Sequence, residues 1–176
     1  PRRCGTDRLG GDRGFCGAGA TTTVAYYGPH FGEEPPLSGT GGSGTIFFFS
    51  CNLRCLYCQN FQISHVHTGQ DVTTKDLVGI FFELENLGCH NINLVTPTPY
   101  APLLADAMGQ ARARGLAIPF VYNTNAYETV ETLEMLDGLV DIYLPDFKYW
   151  NDAMAVTLSS APGYRLCASN AISEMY

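Results

Sequence analysis

From residue 45 onward the chain alternates strand-sized apolar runs with longer amphipathic segments, and this alternation limits its folds more than any other feature. The runs are "GTIFFFS", "NINLV" at 91 to 95, "LAIPFVY" at 116 to 122 and "LVDIYL" at 139 to 144. Between them lie "TTKDLVGIFFELENLG", "PLLADAMGQARARG" and "YETVETLEML". In the first of these, Leu77, Ile80, Phe81, Leu84 and Leu87 recur at helical spacing, with Thr73 or Thr74 as N-cap and Gly88 as the stop. In the second, Leu103, Leu104, Ala107, Met108 and Ala111 share a face that Pro102 begins. Strands that read as apolar on both faces, separated by such helices, imply an α/β fold: a parallel sheet built from right-handed crossovers and covered by its helices. Chemistry in such sheets collects on the loops that follow the strands. Here those loops are "SCNLRCLYCQN", "TPTPY", "NTNAYE" and "PDFKYW".

Residues 1–44 have a different texture. "GGDRGFCGAGA" and "GEEPPLSGTGGSG" are rich in Gly and Pro and read as an irregular, cysteine-bearing lead with a short hairpin around "TTTVAYY". Residues 45–176 read as a second unit, a partial (β/α) barrel. A closed eight-stranded barrel takes about 250 residues, so roughly the first four βα units are expected, with one sheet edge left open. An open edge invites dimerisation or poor solubility. The chain begins "PRRC" and ends at "AISEMY" inside a helical stretch, which reads as a piece of a longer protein.

Ten basic against seventeen acidic side chains give a net charge of −7, without a Lys/Arg run, so the electrostatic footprint of a nucleic-acid binder is missing. No apolar run has membrane-spanning length; "TIFFF" at 45 to 49 is strand-sized. Seven cysteines, three of them in one loop, fit a reducing, cytoplasmic setting better than a secreted disulfide scaffold.

That loop, "CNLRCLYCQN", places Cys51, Cys55 and Cys58 within eight positions and offers no fourth thiol. Four protein ligands make a closed structural site, whereas three leave a coordination position for a reactant. Three thiolates suit a [4Fe–4S] cube with one iron free. A Cys3His zinc site recruiting His65 or His67, and a local disulfide with a free thiol, are the other readings of the same residues.

The C-x3-C-x2-C spacing, with Tyr57 just before the last cysteine and a strand just before the first, resembles the signature of the radical S-adenosylmethionine (radical SAM) superfamily. "HFGEEPPLSGTGGSGTIFF", "CQNFQISH", "NINLVTPTPY" and "VDIYLPDFKY" are similar, more narrowly, to proteins related to pyruvate formate-lyase activating enzyme. The resemblance implies a [4Fe–4S] cluster on Cys51, Cys55 and Cys58, with SAM chelating the open iron. It implies reductive cleavage of SAM to a 5′-deoxyadenosyl radical that removes hydrogen from a substrate. A low-potential donor of flavodoxin or ferredoxin type, and a protein substrate such as a glycyl radical enzyme, are the partners it implies; nucleic acid and membrane are not among them. A non-catalytic zinc or Fe–S domain, or an inactive truncated homologue, is the alternative function.

Carried onto this sequence, the resemblance implies SAM contacts by Tyr57, by Thr96 after the second strand, by Asn123, Thr124 and Asn125 in an Asp-Thr-Asn-Gly-like segment, and by Asp146 and Lys148 in Asp-x-Lys. Gln59 and Asn60 are expected to order the cysteine loop. Two departures stand out. No Gly-Gly-Glu follows the second strand, where Thr96 and Thr98 offer hydroxyls instead, and Phe49-Ser50 replaces Ser-Gly before the first cysteine, which removes glycine's backbone freedom. His65 and His67 read as solvated, Cys4 and Cys16 as remnants of a cysteine-bearing leader, and Cys89 and Cys167 as core or incidental thiols.

Overall fold

The computed structural model of the protein describes residues 1–66 and 69–176. Strand β1 (Thr22–His30) passes through a short helix α1 (Pro35–Ser38) and returns antiparallel as β2 (Ser43–Phe48). The cysteine loop follows, then α2 (Phe61–His65), β3 (Gln70–Val72), α3 (Thr74–Asn86) and β4 (Ile92–Val95). The remainder is α4 (Ala101–Ala113), β5 (Phe120–Thr124), α5 (Val130–Glu134), β6 (Ile142–Pro145), α6 (Asp152–Ser159) and α7 (Tyr164–Met175). Among the described residues one sheet joins six strands in the order β3-β1-β2-β4-β5-β6. β2, β4, β5 and β6 are parallel, and β1 runs antiparallel to both β2 and β3. The fold is the α/β class expected, four parallel strands of an unclosed barrel with β6 at one edge.

Local chemistry sets the helix ends. Thr73 accepts from the Asp76 amide at 3.2 Å while the Asp76 carboxylate accepts from the Thr73 amide at 3.0 Å, a reciprocal cap that starts α3. At the other end Gly88 sits at φ 81°, with Cys89 N bonded to Leu84 O and Gly88 N to Glu85 O. That pair of bonds needs a left-handed residue, which glycine supplies. Leu87, expected on the buried face, is instead the cap residue and is exposed. α5 is shorter than "YETVETLEML" suggested, because Thr129 takes the N-cap and leaves Tyr127 and Glu128 in the preceding loop.

The core lies between the sheet and helices α3 and α4. Ile46, Phe48, Ile92, Leu94, Phe120 and Tyr122 face it from the strands, and Phe81 packs edge-on against Phe120 at 5.0 Å. The other sheet face corrects the reading of strands apolar on both sides. Ser43, Thr45, Asn91 and Asn93 are buried there, because residues 33–38 fold against that face and bring polar groups that must be satisfied. Asn91 Nδ2 donates to Leu37 O at 2.8 Å, Ser43 donates to Asn91 Oδ1 at 2.7 Å, and Asn93 Nδ2 donates to Glu33 Oε1 at 3.1 Å. The alternation in "NINLV" is thus the signature of one dry and one polar face.

Residues 1–21 are irregular but pinned behind the rim by arginines. Arg2 donates to Asn52 O at 2.8 Å and lies 3.4 Å from the centre of the Phe15 ring; Arg8 donates to Pro99 O at 2.6 Å; Arg54 donates to Phe15 O at 2.5 Å. A second, smaller core of Leu53, Tyr127, Tyr149 and Tyr164 with alanines of α6 and α7 supports the cysteine loop from below.

Candidate functional site

Three of the loops that leave the parallel strands begin in strained backbone. Ser50 after β2 has φ 86°, Thr96 after β4 has φ 59°, and Ala126 after β5 has φ 61°. Left-handed conformations are costly for residues with a Cβ, by about 1–3 kcal/mol each, and concentrate where a site dictates the geometry. At Ser50 the swap from glycine is offset by a hydrogen bond from its hydroxyl to Cys16 O at 2.7 Å. At Ala126 a side chain stands where the Asp-Thr-Asn-Gly pattern has glycine.

The cysteine loop is a tight arc. Cys58 N bonds Cys55 O, and the amides of Arg54 and Leu56 donate to the carbonyls of Ser159 and Leu158, so the end of α6 holds it in place. Cys51 Sγ accepts from Leu53 N at 3.4 Å and Asn125 Nδ2 at 3.6 Å. Cys55 Sγ accepts from the Ser159 hydroxyl at 2.9 Å, which is itself 2.5 Å from the Tyr149 hydroxyl; Tyr149 in turn meets the hydroxyl of Tyr57. Cys58 Sγ lies 3.4 Å from the Ser64 hydroxyl. Burial, reinforced by the neighbouring Cys55 and Cys58, pushes the Cys51 thiol up to about 11. A buried sulfur supplied with donors but held from ionising needs an added positive charge to become a thiolate, which bound metal provides. The donor set therefore fits a thiolate-ligated centre. Among the described residues no three His, Cys, Asp or Glu side chains converge on a single-ion position; ligands of a cube bind separate irons and need not do so.

These thiols open onto a cavity of about 610 Å³, within the size range of small-molecule and cofactor sites. Cys51, Cys55 and Cys58 form one wall. Tyr57, Thr96, Asn123, Thr124, Asn125, Asp146 and Lys148, contributed by the end of β5 and the loops after β2, β4, β5 and β6, all line the same space, as do Gln59 and Asn60. Lys148 Nζ is 2.8 Å from Asp146 Oδ2, so the two present one paired unit. Asn125 is occupied: besides Cys51 it donates to Asn52 Oδ1 at 2.8 Å and accepts from Tyr127 N at 3.0 Å. Tyr57 is half exposed at the mouth.

Several residues that hold this rim carry no motif. Asn52 Nδ2 donates to Tyr127 O at 2.7 Å, joining the cysteine loop to the β5 loop. The Tyr164 hydroxyl accepts from Lys148 N at 2.8 Å and lies 2.8 Å from Asn125 O and 2.9 Å from Asp146 O, so it ties the β5 and β6 loops. Glu128 is a buried acid that ties "TPTPY" to the end of β5. It comes from the β5 loop, is 1 % exposed, and accepts from Thr98 at 2.5 Å and Thr124 at 2.6 Å through Oε1, while Oε2 has no partner. Burial outweighs those hydrogen bonds and raises its carboxyl to about 7. In the sequence its only sign was position, four residues after Thr124.

The histidines and remaining cysteines stand apart. His65 is half-buried rather than solvated, packed edge-on against Phe61 at 5.1 Å, and burial lowers its pKa. His67 lies outside the described residues. Cys4 is exposed and Cys16 buried; Cys89 is a core thiol, and Cys167 donates to Glu128 O at 2.8 Å.

Comparison with known proteins places residues 45–165 in a match to the model of the Radical SAM superfamily. The chain is also 34% identical over 164 residues to a Methanocaldococcus jannaschii protein that is itself described as uncharacterized. The alignment covers 87% of this chain and 46% of that protein, so the chain spans about half the length of the curated relative it matches.

Proposed function

The chain belongs to the radical SAM superfamily, and from that premise we propose that it binds a [4Fe–4S] cluster through Cys51, Cys55 and Cys58 and cleaves SAM reductively to abstract hydrogen from a substrate. The observation that carries this reading is the convergence of three hydrogen-bonded thiols and four separate strand-end loops on one cavity. When bound, the cluster and SAM supply the one-electron cleavage of a sulfonium bond; the chain's residues do the rest. Cys51, Cys55 and Cys58 hold the metal, and the absence of a fourth thiolate in the loop leaves an iron for SAM. Thr96 and Asn123 offer polar groups to its amino-acid and ribose portions, Thr124 lines the same space with its hydroxyl held by Glu128, and the Asp146–Lys148 pair offers both signs of charge to a zwitterion. Tyr57 covers the mouth where the adenine is expected. Glu128 and Tyr164 position these loops from beneath.

Activity toward a glycyl radical enzyme, as in pyruvate formate-lyase activation, is the finer form of the proposal, supported by the Asp-x-Lys and Asn-Thr-Asn segments. A flavodoxin- or ferredoxin-type donor in a reducing, cytoplasmic setting is the proposed electron source, and exposed Leu56, Tyr57 and Phe61 around the cysteine loop give it a surface to meet. No helix among the described residues is long and apolar enough to cross a membrane. The test is anaerobic reconstitution with iron and sulfide, followed by assay of 5′-deoxyadenosine with and without dithionite. Reductant-dependent product that disappears in Cys55→Ala and persists in Cys167→Ala supports the proposal; equal behaviour of the two variants contradicts it.

A further inference from the structure

We propose that the part of the cavity lined by His30, Gly32 and Glu33 is a subsite for a substrate primary amine, built by Glu33 and His30 with Asn93 fixing Glu33; its assignment to substrate rests on the radical SAM reading above. β1 runs antiparallel to β2, so His30 pairs with Ser43 at the start of β2, whereas Cys51 follows its end. The chain then turns through Gly32 and Glu33 beneath the polar face of the sheet, and all three residues line the cavity floor. Asn93, which fixes Glu33, is three residues before Thr96, so the floor lies about 10 Å below the rim at ~3.3 Å per residue. That separation leaves room for a small molecule between floor and cofactor.

The acceptor that this part of the cavity presents is the Glu33 carboxylate. Asn93 Nδ2 donates to Glu33 Oε1 at 3.1 Å, which fixes the orientation of the amide, because only its nitrogen can donate to a carboxylate. Asn93 Oδ1 is thereby left buried and without a partner. Neither of the two ion pairs among the described residues includes Glu33, and the cation that lines the cavity, Lys148, is already matched to Asp146. His30 is held edge-on against Phe47 at 6.2 Å. Its Nε2 would sit 2.8 Å from a Cβ on residue 32, so glycine there leaves the ring its place. A carboxylate on the cavity wall that belongs to neither ion pair asks for a ligand that donates and carries positive charge. An ammonium carries three donors, no acceptor and the opposite charge. Carboxylate and phosphate ligands meet repulsion, and an alcohol brings a single donor.

The segment that builds the floor, residues 30–33, precedes the stretch matched by the superfamily at 45–165. A fold hosts its particular function in the site built on it, so residues outside the shared stretch are a place to look for substrate selection. The experiment uses butylammonium as probe, with butan-1-ol and butyrate as controls of similar size, titrated by ligand-observed NMR into both reconstituted, SAM-loaded protein and cluster-free protein. The expected result is binding of the amine about tenfold or more tighter than either control, in line with a charge-assisted hydrogen bond. Glu33→Gln is expected to abolish that preference and His30→Ala to weaken it, while SAM still alters the EPR spectrum of both variants. Controls that bind as well as the amine, or a preference that survives Glu33→Gln in a folded protein, overturn the subsite. Amine preference without a SAM response leaves the subsite standing and breaks only the cofactor reading; a SAM response without amine preference does the reverse.

Discussion

Replacing Glu128 by glutamine should flatten the pH dependence of stability. In the folded protein burial holds this carboxyl at about 7 against an ordinary value of 4.5. Below pH 4.5 the folded and unfolded chains both carry the proton, and the group's contribution to stability is fully present. As pH rises from 4.5 to 7 the unfolded chain gives up its proton while the folded chain keeps it, so stability falls, and above 7 the loss is complete. The gap between 4.5 and about 7 sets the loss at about 3 kcal/mol. Glutamine keeps an acceptor oxygen for the hydroxyls of Thr98 and Thr124 and cannot ionise. The variant should therefore match the wild type near pH 4.5 and exceed it by up to about 3 kcal/mol at pH 8. Urea unfolding of reduced, cluster-free protein at several pH values, read as the difference between the two chains, cancels the other titrating groups. Two curves displaced by a constant would show that Glu128 ionises normally in the folded state and would refute its burial as an unpaired acid.

Three further outcomes follow from the rim. Ser159→Ala removes the hydroxyl donated to Cys55 Sγ and should move the reduction potential of the reconstituted cluster to more negative values with iron content unchanged, by EPR-monitored redox titration. Tyr164→Phe strips the shared partner from Asn125 O, Asp146 O and Lys148 N; it should cost about 1–3 kcal/mol in thermal or urea unfolding and weaken SAM binding measured by calorimetry. Thr96→Gly should relieve a β-branched residue of its left-handed backbone and stabilise the protein by about 1 kcal/mol, while lowering SAM affinity through the lost hydroxyl.

The parallel sheet and its rim were legible because they rest on local signals. Helical spacing from Leu77 to Leu84, the Thr73 cap and the Gly88 stop each act within a turn or two, and the structure keeps them. The residues expected to touch cofactor came from loops that follow strands, and parallel register alone brings those loops together. What stayed hidden depends on long-range encounters. Glu128 meets Thr98 thirty residues away, Tyr164 meets Asn125 thirty-nine away, and Ser159 reaches Cys55 across 104 positions. Such pairs leave no periodicity behind. The polar sheet face is a milder case: Asn91 and Asn93 alternate with Ile92 and Leu94 in plain view, but their partners in residues 33–38 appear only when β1 and β2 pair.

The central claim is that three cysteines hold a cubane with one iron left for SAM, and EPR of the dithionite-reduced, anaerobically reconstituted protein addresses it directly. The account predicts a [4Fe–4S]+ signal whose g-values shift on addition of SAM and do not shift with methionine-free adenosine. A reduced cluster whose spectrum is the same with and without SAM would contradict it.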